Sequence, residues 1–202
     1  MEVILLRYYS ENTKKLIEIS IDDVNEYIEN VNKEALADFI YGRFYYRYIR
    51  PFECSSGKYP RYYKNGFSIM ANCCLLIETL ETFYKGWENS QGRSEEAFSE
   101  FFKTDKRFLE FAQNNIATNF YKHIRCGILH QGETTGGWRI TRDGKENLLD
   151  ISEKRINATK FMERLTESIS DYKRKLKDSE WDDKIWKNAI KKIKAIIKSS
   201  QN

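Results

Sequence analysis

Helix breakers are scarce in this chain, and their scarcity constrains its fold more than any other sequence feature. The 202 residues include only 2 Pro and 10 Gly, the two residue types that most destabilise a helix interior. Between these breakers apolar residues recur three or four positions apart, as at Leu36, Phe39, Ile40 and Phe44. That spacing puts them on one face of a helix. The sequence therefore predicts an all-α bundle, with residues 1–202 forming a single domain.

The helical pattern also gives the order of the predicted elements. A short helix is expected from Asp22, and the next one ends at Pro51, because proline disfavours helical geometry at the residue before it. Segments 65–87 and 107–131 are predicted to pack as long neighbours. The second should end at Gly132, which suits the left-handed conformation at a helix end. Further helices are expected at 97–103, 155–177 and 181–200.

Two segments do not follow the helical pattern. The first 20 residues contain VILLRYY and LIEISI, each of which fits either a short strand or a helical turn. Farther along, Asp143-Gly144 lies between WRIT and NLLDI, and Asp-Gly between two apolar runs is a hairpin signal. We therefore expect a small β-hairpin at Asp143-Gly144 and leave the first segment open.

Composition and cysteine usage favour a cytoplasmic globular protein without a membrane span. Hydrophobic residues make up 41% and charged residues 32% of the chain, and no stretch reaches the roughly 18 consecutive apolar residues of a membrane helix. The N-terminal segment lacks the basic leader and cleavage site of a signal peptide. The cysteines form no CxxC pair, so we expect reduced thiols and no metal site. They are Cys54, Cys73, Cys74 and Cys126.

One segment, NFYKHIRCGILHQGETTGGWRI, carries the candidate chemistry. Arg125 and His130 have the spacing R-x4-H within it, at the end of a long helix and before a Gly-rich break. This pattern resembles the HEPN superfamily, whose members carry an R-x4-6-H motif near the end of a core helix. The run IRCGILHQGETTGGWRI is similar to a bacterial branch of that superfamily.

The resemblance extends upstream and downstream of the motif. SIMANCCLLIETLETFYKG resembles the first core helix of HEPN domains, where a glutamate is common and where this chain has Glu78. The helix INATKFMERLTESISDYKRKL also fits the branch. The resemblance implies a HEPN-like helical bundle over residues 65–177, with residues 1–60 as an N-terminal extension and residues 181–198 as an added amphipathic helix.

The resemblance also implies a function. It points to a metal-independent endoribonuclease, a toxin or phage-defence effector that acts on RNA as a homodimer, without a cofactor, under an antitoxin or another regulatory protein. Arg125 would bind the scissile phosphate, since its fork of donors suits phosphoryl oxygens. His130 would transfer protons, since the unperturbed pKa of histidine lies near neutrality. Supporting roles fall to Glu78, Tyr121, Cys126 and Glu133.

The chain departs from the superfamily at two positions. Many of these nucleases have Asn or Asp directly after the arginine, where this chain has Cys126. A subset has a tyrosine two residues after the histidine, which a nucleotidyltransferase modifies. Gly132 occupies that position here, so we do not expect that form of control.

The spacing of the motif raises a geometric question. Five residues along an α-helix rotate by about 140° and rise about 7.5 Å, so Arg125 and His130 do not share a helical face. Three solutions are open: the helix loosens near Gly127, the length of arginine closes the gap, or a two-fold dimer brings two motifs together.

Other roles for these residues stay open. Arg125 could be a structural partner of Glu78 inside the bundle, and His130 could interact with the helix end. Cys126 and His130 have the spacing of a thiol-imidazole pair, whereas His123 is expected on the surface. The competing function is a non-catalytic HEPN module that binds RNA or a nucleotide, or that serves as a dimerisation scaffold.

Two basic regions are further candidates for binding. The net charge of +4 is mild, but basic residues alternate with tyrosines in one region, a pattern that can follow a phosphate backbone and stack on bases. The RNA-binding candidates there are Arg43, Arg47, Arg50, Arg61 and Lys64; alternatively, the aromatics belong to the core and the arginines to an ordinary solvated face. In the last helix, an apolar stripe lies opposite several lysines, which is typical of a docking helix. The stripe comprises Ile185, Ala189, Ile193 and Ile196.

Overall fold

The computed structural model describes residues 2–53 and 65–201, so Cys54 and the RNA-binding candidates Arg61 and Lys64 lie outside the described residues. The described part of the chain is mostly helical, which confirms the helical character of the predicted all-α bundle but adds small sheets to it. Its strands form one two-stranded and one three-stranded sheet. Both sheets are small and flank the helices.

The first 20 residues form a β-hairpin. Strand β1 (Ile4–Ser10) pairs antiparallel with β2 (Lys15–Ser20). Leu5 and Leu6 of β1 are buried, which anchors the hairpin on the helices. The sequence of this segment fits either a short strand or a helical turn, and packing against the helices selects the strand.

Two short helices follow the hairpin. Helix α1 (Ile21–Glu29) begins one residue before Asp22, and its N-cap is Ser20, which forms a capping box with Asp23. Helix α2 (Lys33–Phe44) continues through a π-helical stretch, Tyr45–Ile49, into a 3-10 turn, Arg50–Phe52. Pro51 therefore lies inside the last turn, and the helix ends at the following residue.

The central helix of the core is α3 (Gly66–Lys85), which ends where Gly86 adopts the left-handed conformation. Within the described residues it is the one helix long and apolar enough to cross a membrane, but 67% of its most apolar stretch is buried inside the protein. That burial is typical of a core helix. Helix α4 (Ser94–Thr104) follows it.

The predicted long helix over 107–131 is wrong in its first third. A 3-10 segment, Lys106–Ala112, comes first, and the chain then turns at Asn114 and Asn115, both with positive φ. Asparagine tolerates this conformation better than most residues. The 3-10 segment is held by core packing, because Phe108 and Phe111 are fully buried.

Helix α5 occupies the rest of that segment. It consists of Ile116–Asn119, a π-helical stretch Phe120–Arg125, and Cys126–Gln131, and it packs against α3. The predicted stop is confirmed, since Gly132 has a left-handed φ of 71°.

The predicted hairpin at Asp143-Gly144 is wrong. Strands β3 (Arg139–Thr141) and β4 (Leu149–Asp150) lie on either side of the pair, but both bond to β5 (Arg155–Asn157), giving the order β3-β5-β4. The Asp143 carbonyl accepts a hydrogen bond from the Asn157 amide at 2.5 Å. This long-range contact ties the turn to β5, so the two flanking strands do not pair with each other.

Two long helices complete the fold. Helix α6 (Ala158–Asp178) begins three residues later than expected, because Asn157 caps it and β5 takes the preceding residues. Helix α7 (Lys184–Ser200) buries Ala189 and Ile193, as the apolar stripe predicts. An aromatic cluster fills the core beneath α5 and α6. Its members are Phe102, Phe108, Phe111, Phe120 and Phe161.

Candidate active site

The motif helix changes its winding directly before the motif. Over Phe120–Arg125 the helix is π-helical, and the Cys126 N–H donates to the Tyr121 carbonyl, five residues back. Phe120 and Ile124 are fully buried and fix this stretch in the core. Single π-helical turns inside α-helices occur frequently at functional sites. The helix is therefore loosened up to and including Arg125, and it is α-helical again over Cys126–Gln131, which contains Gly127.

Arg125 is anchored by Glu78 on the neighbouring helix α3. Its Nε donates to Glu78 Oε1 at 2.8 Å, and the two side chains are only 15% and 8% exposed. The other carboxylate oxygen accepts from Ser90 Oγ at 3.0 Å and from Ser94 Oγ at 2.7 Å. Hydrogen bonds thus satisfy both oxygens of this buried carboxylate, and the guanidinium has one fixed edge.

The guanidinium reaches His130 within the same chain. Arg125 Nη1 lies 3.3 Å from Nε2 of His130, whose side chain is exposed. Because a guanidinium has only donors, this contact requires an unprotonated Nε2 on the imidazole. The length of arginine therefore closes the gap. The spacing of Arg125 and His130 therefore does not require a second copy of the motif, and the two-fold dimer stays a prediction.

Tyr121 and Cys126 surround the guanidinium. The Arg125 Cζ atom lies 5.6 Å from the centre of the Tyr121 ring, a favourable cation–π distance. Burial alone would lower the pKa of Arg125, but its hydrogen bond to Glu78 and the negative charge of Glu78 outweigh burial and raise the pKa. Burial, followed by the nearby Cys126, raises the pKa of Tyr121. Cys126 contributes to the raised pKa of both Tyr121 and Arg125, as expected for a thiol that lies beside the guanidinium.

Gly127 allows the Gly-rich loop to fold back against the helix. A Cβ atom at this position would lie 2.5 Å from the Glu133 carbonyl oxygen and 3.4 Å from Thr134 Cα. The Glu133 side chain is exposed, so this predicted supporting residue is placed by its backbone. This role of Gly127 was not predicted from the sequence. The available signal was a glycine between the two motif residues, followed by the Gly-rich segment after the helix.

His123 is half-buried and not on the open surface as expected. Its Nδ1 lies 2.8 Å from Thr135 Oγ1, and its ring packs against Gly136. Burial lowers the pKa of His123, and Lys122 and Lys154 lower it further. His123 therefore holds the loop that follows the motif.

The predicted RNA-binding arginines of α2 are engaged with the N-terminal hairpin. Arg43 and Arg47 donate to the Leu5 carbonyl at 2.5 and 2.7 Å. Burial, together with Arg47, lowers the pKa of Arg43 to about 10. Arg50 forms ion pairs with Glu11 and Glu53. Arg43 therefore belongs neither to an open RNA surface nor to an ordinary solvated face. Within the described residues, no hydrogen bond or ion pair joins Arg43, Arg47 or Arg50 to Arg125 or His130.

Comparison of the chain with protein-family models, with curated proteins and with solved structures finds no match. Among residues 2–53 and 65–201, no three His, Cys, Asp or Glu side chains come together as a possible metal site. The side chains available for chemistry at the candidate site are Arg125, His130 and those that surround them.

Proposed function

We propose that this protein is an endoribonuclease with a HEPN-like fold that cleaves RNA without a metal, using Arg125 and His130. The observation that carries the proposal is the contact between Arg125 Nη1 and His130 Nε2. It joins a fixed cation to an exposed imidazole nitrogen that can accept a proton. Such a pair can bind a phosphate and deprotonate a hydroxyl group at the same place.

The chemistry follows from these two groups. Because Nε2 of His130 has a single lone pair, Arg125 Nη1 first turns from His130 to the phosphoryl oxygens of the bound RNA. The freed His130 Nε2 then accepts the proton of the ribose 2′-hydroxyl, whose oxygen attacks the adjacent phosphorus. Arg125 donates to the phosphoryl oxygens, which gain negative charge in the transition state. The bond from phosphorus to the 5′-oxygen breaks, and that oxygen takes a proton from a second acid. The products are a 2′,3′-cyclic phosphate and a 5′-hydroxyl end.

The second acid has two candidate sources. In a two-fold dimer, the histidine of the other copy would protonate the leaving oxygen; in a monomer, water would do so. We propose the dimer, and with it a role as a toxin or defence effector controlled by an antitoxin or another regulatory protein. This role rests on the resemblance to the superfamily alone.

A second function is favoured by one specific observation. Arg125 and Glu78 form a largely buried ion pair, and the two serines complete the hydrogen bonding of the carboxylate. A structural pair of this kind would also suit a non-catalytic module that binds RNA or a nucleotide, or that serves as a dimerisation scaffold. Cleavage assays separate the two functions.

The experiment compares purified parent protein and His130→Ala on structured and unstructured RNA, with and without EDTA. Loss of a general acid-base group should lower the cleavage rate roughly 10²- to 10⁴-fold. His130 is exposed, so the variant should remain folded by circular dichroism. Cleavage by the parent should persist in EDTA and leave cyclic phosphate ends.

Matched variants sharpen the comparison. Gln131→Ala changes the exposed neighbour of His130 at the same helix end and should cleave at the parent rate. Arg125→Lys keeps the charge but loses the two-pronged donor geometry, so its activity should fall substantially. Cys126→Ser should lower the cleavage rate much less than either of the motif substitutions. A folded His130→Ala that cleaves at the parent rate would remove His130 from the mechanism, and a parent protein inactive on every RNA would favour the binding module.

A further inference from the structure

An open cleft of about 890 Å³ lies between α7 and the segment after α3. Five lysines of α7 contribute to its lining, whereas the acidic residues among the described lining residues are Glu88 and Asp182. The lysines are Lys187, Lys191, Lys192, Lys194 and Lys198. This imbalance of charge fits an anionic occupant.

Most of these lysines are available to bind a ligand. Lys187, Lys191, Lys194 and Lys198 are exposed, and in the described part of the chain none of them forms an ion pair. Two lysines of α6 differ, since Lys173 and Lys177 both pair with Asp38. Lys192 is half-buried and donates to the Glu88 carbonyl at 2.6 Å, which joins the two walls of the cleft.

The cleft also offers an aromatic surface. Trp181 lines it and is partly exposed. Its ring lies 5.1 Å from that of Trp186, which is fully buried and donates from Nε1 to the Leu176 carbonyl at 2.8 Å. Trp181 is thus held against a fixed neighbour. A nucleic-acid base can stack on such a ring whatever its sequence.

The cleft is joined to the candidate active site by a short stretch of chain. Glu88 contacts Lys192 in the cleft, and Ser90, two residues later, donates to Glu78, which anchors Arg125. Consecutive Cα atoms are about 3.8 Å apart, so the Cα atoms of Glu88 and Ser90 are at most about 7.6 Å apart. One polymer could therefore reach both the cleft and the motif.

We propose that this cleft binds a single-stranded segment of RNA beside the scissile phosphate. The exposed lysines contact its phosphates, and Trp181 stacks on an unpaired base. The inference rests on the proposed ribonuclease function, because it names where the same substrate is held. Lysines supply sequence-independent affinity, so the cleft would position RNA without selecting a base.

Binding is measured by the fluorescence anisotropy of a 5′-labelled oligouridylate, with His130→Ala as the background so that the probe is not cleaved. Lys187, Lys191 and Lys194 are replaced together by Gln. If each contacts one phosphate, the slope of log affinity against log salt becomes less steep by about 2, and affinity falls roughly 100-fold at about 0.1 M salt. Trp181→Ala should weaken binding roughly 5- to 150-fold, and Trp181→Phe should restore it.

A triple variant of exposed lysines outside the cleft serves as the control. Lys15, Lys106 and Lys145 are exposed, and their joint replacement by Gln makes the same change in net charge. It should retain most of the affinity of the background. Equal effects of the two triple variants overturn the inference, because they would reflect overall charge. Cleft-dependent binding to phosphatidylserine vesicles but not to RNA also overturns it.

The RNA-binding role of the cleft and the ribonuclease function can be refuted independently of each other. RNA binding that depends on the cleft, with no cleavage by the parent protein, supports the cleft and refutes the nuclease. Cleavage by the parent protein, with RNA binding that does not depend on the cleft lysines, refutes the cleft and leaves the nuclease standing.

Discussion

The substitution Glu81→Gln tests whether burial raises the pKa of a glutamate that lies one helical turn from Glu78 of the candidate site. Glu81 is 2% exposed on α3. Burial, opposed by Lys85 and reinforced by Glu100 and Asp105, raises its pKa from 4.5 to about 7. Glu78, three residues earlier on the same helix, has instead the hydrogen bonds of Arg125, Ser90 and Ser94. Replacement by Gln should therefore have a pH-dependent effect on stability at Glu81 and a loss of stability at both pH values at Glu78.

The sign follows from proton binding. Between about pH 4.5 and pH 7 the folded protein holds a proton on Glu81 that the unfolded chain releases, so the free energy of unfolding decreases as pH rises. A shift from 4.5 to about 7 corresponds to about 3 kcal/mol in total. Above about pH 7 this contribution no longer changes, because both states are then ionised. Most of the loss, about 2.5 kcal/mol, falls between about pH 5 and pH 8.

The assay is urea unfolding of the parent protein and of Glu81→Gln at about pH 5 and pH 8, followed by tryptophan fluorescence and extrapolated to water. A neutral amide does not ionise, so the stability of the variant relative to the parent should rise by about 2.5 kcal/mol between the two conditions. Glu78→Gln is the matched control. It breaks a largely buried ion pair and should destabilise the protein by about 3 kcal/mol or more at both pH values. The same relative stability of Glu81→Gln at both pH values would refute the reasoning.

Two further predictions concern the contacts that shape the motif and the turn after it. Gly127→Ala puts a Cβ atom 2.5 Å from the Glu133 carbonyl, so it should displace the loop, cost about 1–3 kcal/mol in urea unfolding and lower cleavage of RNA; unchanged unfolding would show that the loop yields freely. Asn157→Ala removes both the cap of α6 and the hydrogen bond to the Asp143 carbonyl, and should cost about 2–3 kcal/mol by thermal or urea unfolding. The control Asn32→Ala removes only the exposed N-cap of α2 and should lower the free energy of unfolding by about 1 kcal/mol. Equal losses of stability in the two variants would contradict the role of the Asp143 contact.

Local sequence signals predicted those parts of the fold whose cause is local. Gly132 ends the motif helix because glycine takes a left-handed φ without strain. The stripe containing Ala189 and Ile193 gives the buried face of α7 because its helical period places those residues together. The pairing of Arg125 with Glu78 was among the open interpretations, and the structure shows the contact.

Distant packing decided the rest. Burial of Phe108 and Phe111 keeps the segment before α5 in a 3-10 conformation that its helical pattern conceals. The bond from Asn157 to the Asp143 carbonyl replaces a hairpin that the local Asp-Gly signal predicts. In both cases the competing interaction joins residues that are not in the same local pattern, so no short window of sequence reveals it.

The motif shows both contributions. The sequence by itself determined which side chains are available, an arginine and a histidine in the spacing R-x4-H, and it placed them at the end of a helix. Only the tertiary structure decided that Glu78 holds one edge of the Arg125 guanidinium and that Nη1 reaches His130. A regular helix turns these residues about 140° apart, so their contact depends on where a second helix fixes the long arginine side chain.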